Sequence, residues 1–191
     1  AGGIVNGIRI TPELVAQFVD HVKNDASWNP LWPLPNVWLG VSVEDQKTAD
    51  ARMPLLLQTP AIVHWVSYEP ALAAADFSQW LAEAGLNWAV FGGESGPHAR
   101  PCDIQWLRDA GQQCRAAGVR YFVKQMGAKP FEQVPLHHWD GSPAGFRDDR
   151  LWLKDRKGGD PNEWSPDLRV REFPVRRWPP SLGRPLDRPA G

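Results

Sequence analysis

The sequence predicts an α/β fold, a partial (β/α) barrel of about four parallel strands followed by an irregular, Pro-rich C-terminal extension. Three observations carry this expectation. Strand-like apolar runs and helix-like amphipathic runs alternate four times between residues 11 and 125. The strand runs are continuously apolar, as in strands buried on both faces of a parallel sheet, and not strictly alternating as in half-solvated antiparallel strands. Beyond Gly127 the alternation stops, and ten of the 19 prolines lie after it.

The leader "AGGIVNG" enters the first helix with no strand before it, and the chain begins at Ala1, as a processed chain or a fragment does. Thr11 as N-cap and Pro12 at the first helical position open that helix, with Leu14, Val15, Phe18, Val19 and Val22 at helical spacing. A Pro-rich connection leads to the first strand, "VWLGVSV" (37–43). A helix near "DQKTADAR" and an apolar "PLLLQ" precede the second strand, "IVHWVSY" (62–68). Asp76 to Ala84 reads as a helix closed by Gly85, and "WAVFGG" (88–93) as the third strand. Asp103 caps a helix in which Ile104, Leu107, Ala110, Cys114 and Ala117 share a face, and Gly118 ends it before the fourth strand, "RYFVKQ" (120–125). The organisation that follows is a leader over 1–10, the α/β half-barrel over 11–128, an extension over 129–174 and a flexible Pro/Arg tail over 175–191. The extension is expected to pack on the half-barrel through Phe131, Trp139, Phe146, Leu151 and Trp152.

Charge and cysteine content exclude several function classes. The net charge is −1, so no global field argues for nucleic acid or an anionic membrane. The distribution is uneven: residues 1–146 hold 10 Lys+Arg against 14 Asp+Glu, a net of −4, and residues 147–191 hold 11 against 8, a net of +3. Cys102 and Cys114 are the two cysteines of the chain, too few for a four-ligand zinc or iron-sulfur site, and no metal site is read from the sequence. No apolar run approaches the roughly 20 residues that span a bilayer, and the expected location is the cytoplasm.

In parallel α/β sheets ligands bind at the carboxyl ends of the strands, where the loops to the helices converge. Those ends deliver Ser42 and Glu44, Ser67 and Glu69, Gly92, Gly93, Glu94 and Ser95 with Arg100 beyond them, and Lys124 and Gln125. Side chains an even number of residues apart share a strand face. Trp38 with Glu44, Trp65 with Glu69 and Trp88 with Glu94 meet that condition, which puts each tryptophan deep and each glutamate at the rim. The acids either converge on a ligand, with Lys124 as the compensating cation, or cap loops and pair locally. Gly92 and Gly93 permit close approach of a backbone or a ligand, but neither nucleotide-binding glycine pattern is present. Ser95 is not in a nucleophile elbow. His64 reads as a core histidine, and His98, His137 and His138 as solvated loop residues. No catalytic residue is assigned.

The blocks "LPNVWLGVSVEDQ", "VSYEPAL", "WAVFGGESGPHARPCD", "CRAAGVRYFVKQMG" and "KGGDPNEWSPDLRVREFP" resemble, in this order, a phage and prophage family of unknown function described by a three-cysteine motif and similar to radical-SAM half-barrels. The resemblance covers residues 34–174. It implies an iron-sulfur cluster and S-adenosylmethionine, both dependent on a cysteine segment this chain lacks, and it places Glu69, Glu94 and Lys124 in family-typical blocks. The first functional expectation is therefore the substrate-facing portion of a radical-SAM-like enzyme, acting on a small molecule or modified nucleotide. The alternative is a non-catalytic phage accessory module, or one that meets single-stranded nucleic acid through the tail "RVREFPVRRWPP". Four strands leave sheet edges open, so an upstream half-barrel or a second copy of the chain is an expected partner.

Overall fold

The computed structural model describes residues 4–5, 8–9, 33–34, 37–81 and 85–174. The helix expected from Thr11, residues 82–84 and the tail over 175–191 lie outside the described residues. Within the leader, β1 (Ile4–Val5) and β2 (Ile8–Arg9) form a short antiparallel pair, where the sequence offered no strand.

Four strands, β3 (Trp38–Val43), β4 (Val63–Tyr68), β5 (Trp88–Gly92) and β7 (Arg120–Gln125), form a parallel sheet in the order β3-β4-β5-β7. The described strands make an open sheet and not a closed barrel. One face carries Val43, Val66, Tyr68, Ala89, Phe91, Tyr121 and Val123, all buried. Packed with it in one core are Met53 and Leu56 of α1 (Gln46–Gln58) and Leu107, Ala110 and Cys114 of α2 (Ile104–Ala116). Burial of a large apolar side chain stabilises by roughly 1.5–3 kcal/mol, so this helix face holds the fold together. Asp45 starts α1 with a reciprocal capping box to Thr48. The helix expected near "DQKTADAR" and the apolar "PLLLQ" are one element, with α1 running on through Pro54. Pro54 and Asp50, whose carbonyl loses its helical partner, are both exposed, so the lost bond is not a buried one.

Two expectations fail here. Over residues 76–81, the described part of the helix expected from Asp76 to Ala84, the chain makes a single 3₁₀ turn, Ser78–Trp80. Asp76 accepts from the Ser78 N–H at 2.9 Å and turns the chain, which drives Phe77, Trp80 and Leu81 into the core. The extension is also less irregular than its prolines suggest: β8 (Pro130–His137) and β9 (Pro143–Arg150) form an antiparallel hairpin, and β6 (Cys102–Asp103) pairs parallel with β8. That ribbon stands off the sheet, leaving Trp139, Phe146 and Trp152 at 99%, 67% and 80% exposure, so these three do not pack the extension down. Trp164 and Leu168 do so, inside the core, with Leu151, Leu153 and Val170 against it. Arg108 of α2 fastens the same region by pairing with Glu132 of β8 and, at 2.8 Å, with Asp167. The chain then crosses the free side of β7: Val123 donates to the Val170 carbonyl at 2.8 Å and Glu172 to the Tyr121 carbonyl at 3.0 Å.

Candidate functional site

The second sheet face is lined differently. The register places Gly40 beside Trp65, Trp65 beside Trp88, Ser42 beside Ser67, Ser67 beside Val90 and Val90 beside Phe122. The expected shared face of the tryptophans is real: the ring centroids of Trp38 and Trp65 lie 5.8 and 5.7 Å from that of Trp88. Phe173 stacks on Trp88 at 5.4 Å, and the Trp88 indole N–H donates to the Glu172 carbonyl at 2.8 Å. The Trp65 indole occupies the space a side chain at position 40 would need, so Gly40 is what lets the ring lie down.

Above this aromatic floor, at the carboxyl ends of the strands, Glu69 ends β4 with its side chain only 16% exposed. Lys124 donates to both of its carboxylate oxygens at 3.0 Å, and the Gln125 amide donates at 3.1 Å. Adjacent strand residues ordinarily point to opposite faces. The register of β5 with β7 shifts after Phe91, so that Gly92 pairs with Gln125 and Lys124 is the extra residue. Such a bulge re-aims side chains, and here it brings both donors to one carboxylate. Gln125 also donates to the Gly93 carbonyl at 2.9 Å, tying the group to the end of β5.

The glycines at that strand end serve the chain itself. A side chain on Gly92 would meet Glu69 and Gln125, each at 3.3 Å, and one on Gly93 would run into the Met126 backbone. Their smallness is consumed by contact between the β5 and β7 ends, with no cradle left over for a phosphate. Beyond them Glu94 accepts from the backbone N–H of Arg100 at 2.8 Å and from its guanidinium at 2.8 and 3.0 Å. Those side-chain and backbone bonds hold the Glu94 carboxyl down at about 2. The pair closes the loop 94–100 on itself, and among the described residues no hydrogen bond joins Glu94 to the Glu69 group.

The remaining expected site residues divide between the rim and the surroundings. Glu44 pairs with Arg52 of α1 at 3.1 Å, while its backbone carbonyl accepts from Leu72 at 2.9 Å. Arg52 also donates to the Ser42 carbonyl; the Ser42 and Ser95 residues are exposed and Ser67 half-buried. The sequence thus pointed to Glu69, Lys124 and Gln125, which meet, and to Glu94 and Arg100, which form a separate pair. Arg52 was missed, although its position eight residues after Glu44, one turn and more into a helix, was the available signal.

Both cysteines are buried, and burial pushes each thiol up to about 12. Among the described residues no group of three or more His, Cys, Asp or Glu is arranged to hold a metal ion, and no helix is long and apolar enough to cross a membrane.

Comparison with known proteins gives one positive result. The model of a family described as "Protein of unknown function (DUF5131)" matches residues 9–171, well over half of the chain. No curated protein and no solved structure matches. With its parallel sheet, the described helices α1 and α2 and the hairpin inside the matched span, the chain belongs to the DUF5131 family of proteins of unknown function.

Proposed function

We propose that the tryptophan face binds a small molecule and that the chain is the substrate-facing portion of a radical-SAM-like enzyme of phage type. The observation that carries this reading is the Glu69–Lys124–Gln125 group over an aromatic floor at the carboxyl end of a parallel sheet. An ion pair at a rim is complementary to a zwitterion: Glu69 suits a ligand ammonium, Lys124 a carboxylate, and the tryptophan rings a flat or apolar body. The amino-acid end of S-adenosylmethionine has that charge pattern. The iron-sulfur cluster of the resemblance would need ligands that these 191 residues do not contain.

Titration of the chain with S-adenosylmethionine, read by intrinsic tryptophan fluorescence, tests the reading. A saturable change that Glu69→Gln and Lys124→Met each weaken by tenfold or more is expected. A response equal in the wild type and both variants, or none up to millimolar ligand, removes the zwitterion site.

A further inference from the structure

A cleft of about 570 Å³ lies between the loop before β6 and the hairpin, with Leu72 on its wall and none of Glu69, Lys124 or Gln125 among its lining residues. Its apolar wall includes Trp106 and Phe131, which meet edge to face with centroids 6.2 Å apart. Three cations, Arg100, Lys129 and Arg150, stand around it with one carboxylate, Asp148. Arg100 is already neutralised by Glu94. Lys129 and Arg150 have no ion-pair partner among the described residues. Arg150 stacks instead on the Trp152 indole, its guanidinium carbon 4.2 Å from the ring centroid, and that indole is 80% exposed. The same ribbon face continues outward: Phe131 pairs with Arg150, Gln133 with Asp148 and Pro135 with Phe146, whose ring is 67% exposed.

We propose that this cleft binds a nucleotide, its phosphate at Lys129 and Arg150 and its base against the aromatic side chains, supplied either free or as part of a single strand. The volume lies within the range of small-ligand sites, roughly 300–1,000 Å³. Lys129 and Arg150, neither of them ion-paired among the described residues, outnumber the one lining acid, Asp148, on a chain whose net charge is −1. The Trp106 and Phe131 rings of the cleft wall supply aromatic surface of the kind on which bases stack without sequence preference, and the exposed Trp152, which lines the neighbouring cavity, lies against Arg150 at the cleft's edge. Asp148, two residues from Arg150 on the same face of β9, opposes a phosphate there in part and makes Lys129 the stronger of the two contacts. An acidic peptide matches the cations but leaves the aromatic surface without a partner.

Anisotropy of fluorescein-labelled oligothymidylate with the whole chain tests this, alongside AMP and an oligoglutamate peptide as competitors. The Lys129→Gln/Arg150→Gln double variant should lose tenfold or more in affinity, and Trp152→Ala several-fold, while Arg176→Gln/Arg177→Gln in the tail should bind as wild type. Wild-type binding should weaken with a slope of log K against log salt of about −0.7, the value for the one phosphate that Lys129 and Arg150 share on a single strand, a measurement that stands even where a variant folds poorly. Displacement by AMP identifies a free nucleotide as the ligand; binding of the oligomer alone identifies a single strand. Absence of binding by both, a slope near zero, an unaffected Lys129/Arg150 variant, or equal competition by oligoglutamate overturns the proposal.

Discussion

Without the Lys124 ammonium, Glu69 would keep one donor, the Gln125 amide, at a position only 16% exposed. The lysine itself is 54% exposed, so solvent screens much of the attraction. A double-mutant cycle of Lys124→Met and Glu69→Gln should therefore return a coupling of about 1 kcal/mol, near the upper limit for exposed pairs; a value near zero would show that the two side chains do not hold each other. Glu94 gives a pH prediction. Its folded pKa is depressed to about 2, so the stability it contributes is complete above the unfolded carboxyl value of about 4.3 and is lost as pH falls toward 2. The Arg100 side-chain N–H resonance should hold its position down through the usual carboxylate range; titration with a midpoint near 4.3 would mean the pair is open in solution. Strand-end reading found Glu69 and Lys124 because alternation fixes which face each residue takes. It could not separate Glu94 from them, since a carboxylate that turns back on the backbone six residues later is decided by loop geometry that no periodicity encodes.

Gly40 and Trp65 couple two neighbouring strands. A methyl at position 40 would overlap the indole, so Gly40→Ala should lift the ring off β3 and cost roughly 1–3 kcal/mol, the usual penalty of overpacking. A lower melting temperature with altered tryptophan fluorescence is expected; an unchanged melting curve would place the ring elsewhere. The buried strands were legible because apolar β-branched and aromatic runs bounded by turn residues have few other uses. The hairpin was not. Pro130, Pro135 and Pro143 read as breakers, and "FRDDR" has no apolar alternation because much of that ribbon faces water on both sides. The same exposure explains why Trp139, Phe146 and Trp152 were mistaken for core: hydrophobicity announces that a side chain wants cover, and not whether its own chain supplies it. Over residues 76–81 the expected helix gave way to one tight turn, because burial of Phe77 and Trp80 overrides a weak local preference.

At the scale of the whole molecule, the segment Val170–Phe173 matters beyond its length. It hydrogen-bonds the outer side of β7 and sets Phe173 on Trp88. Deleting residues 169–191 should bare a strand edge and the aromatic floor together, and light scattering should then show dimers or larger species; a truncated chain that stays monomeric and equally stable would show the segment to be dispensable. The openness of the sheet was foreseeable from the count of four strand runs. Which side is closed was not, since the pairing of residues 170–172 with β7 joins segments nearly fifty positions apart.

That closure also sets a valency. A sheet with two bare sides can add neighbours without limit and grow into a filament, whereas one whose β7 side is occupied by a covalently attached segment keeps, among the described residues, at most the side beside β3. If two copies meet there, each uses its single remaining side, and the assembly terminates at two.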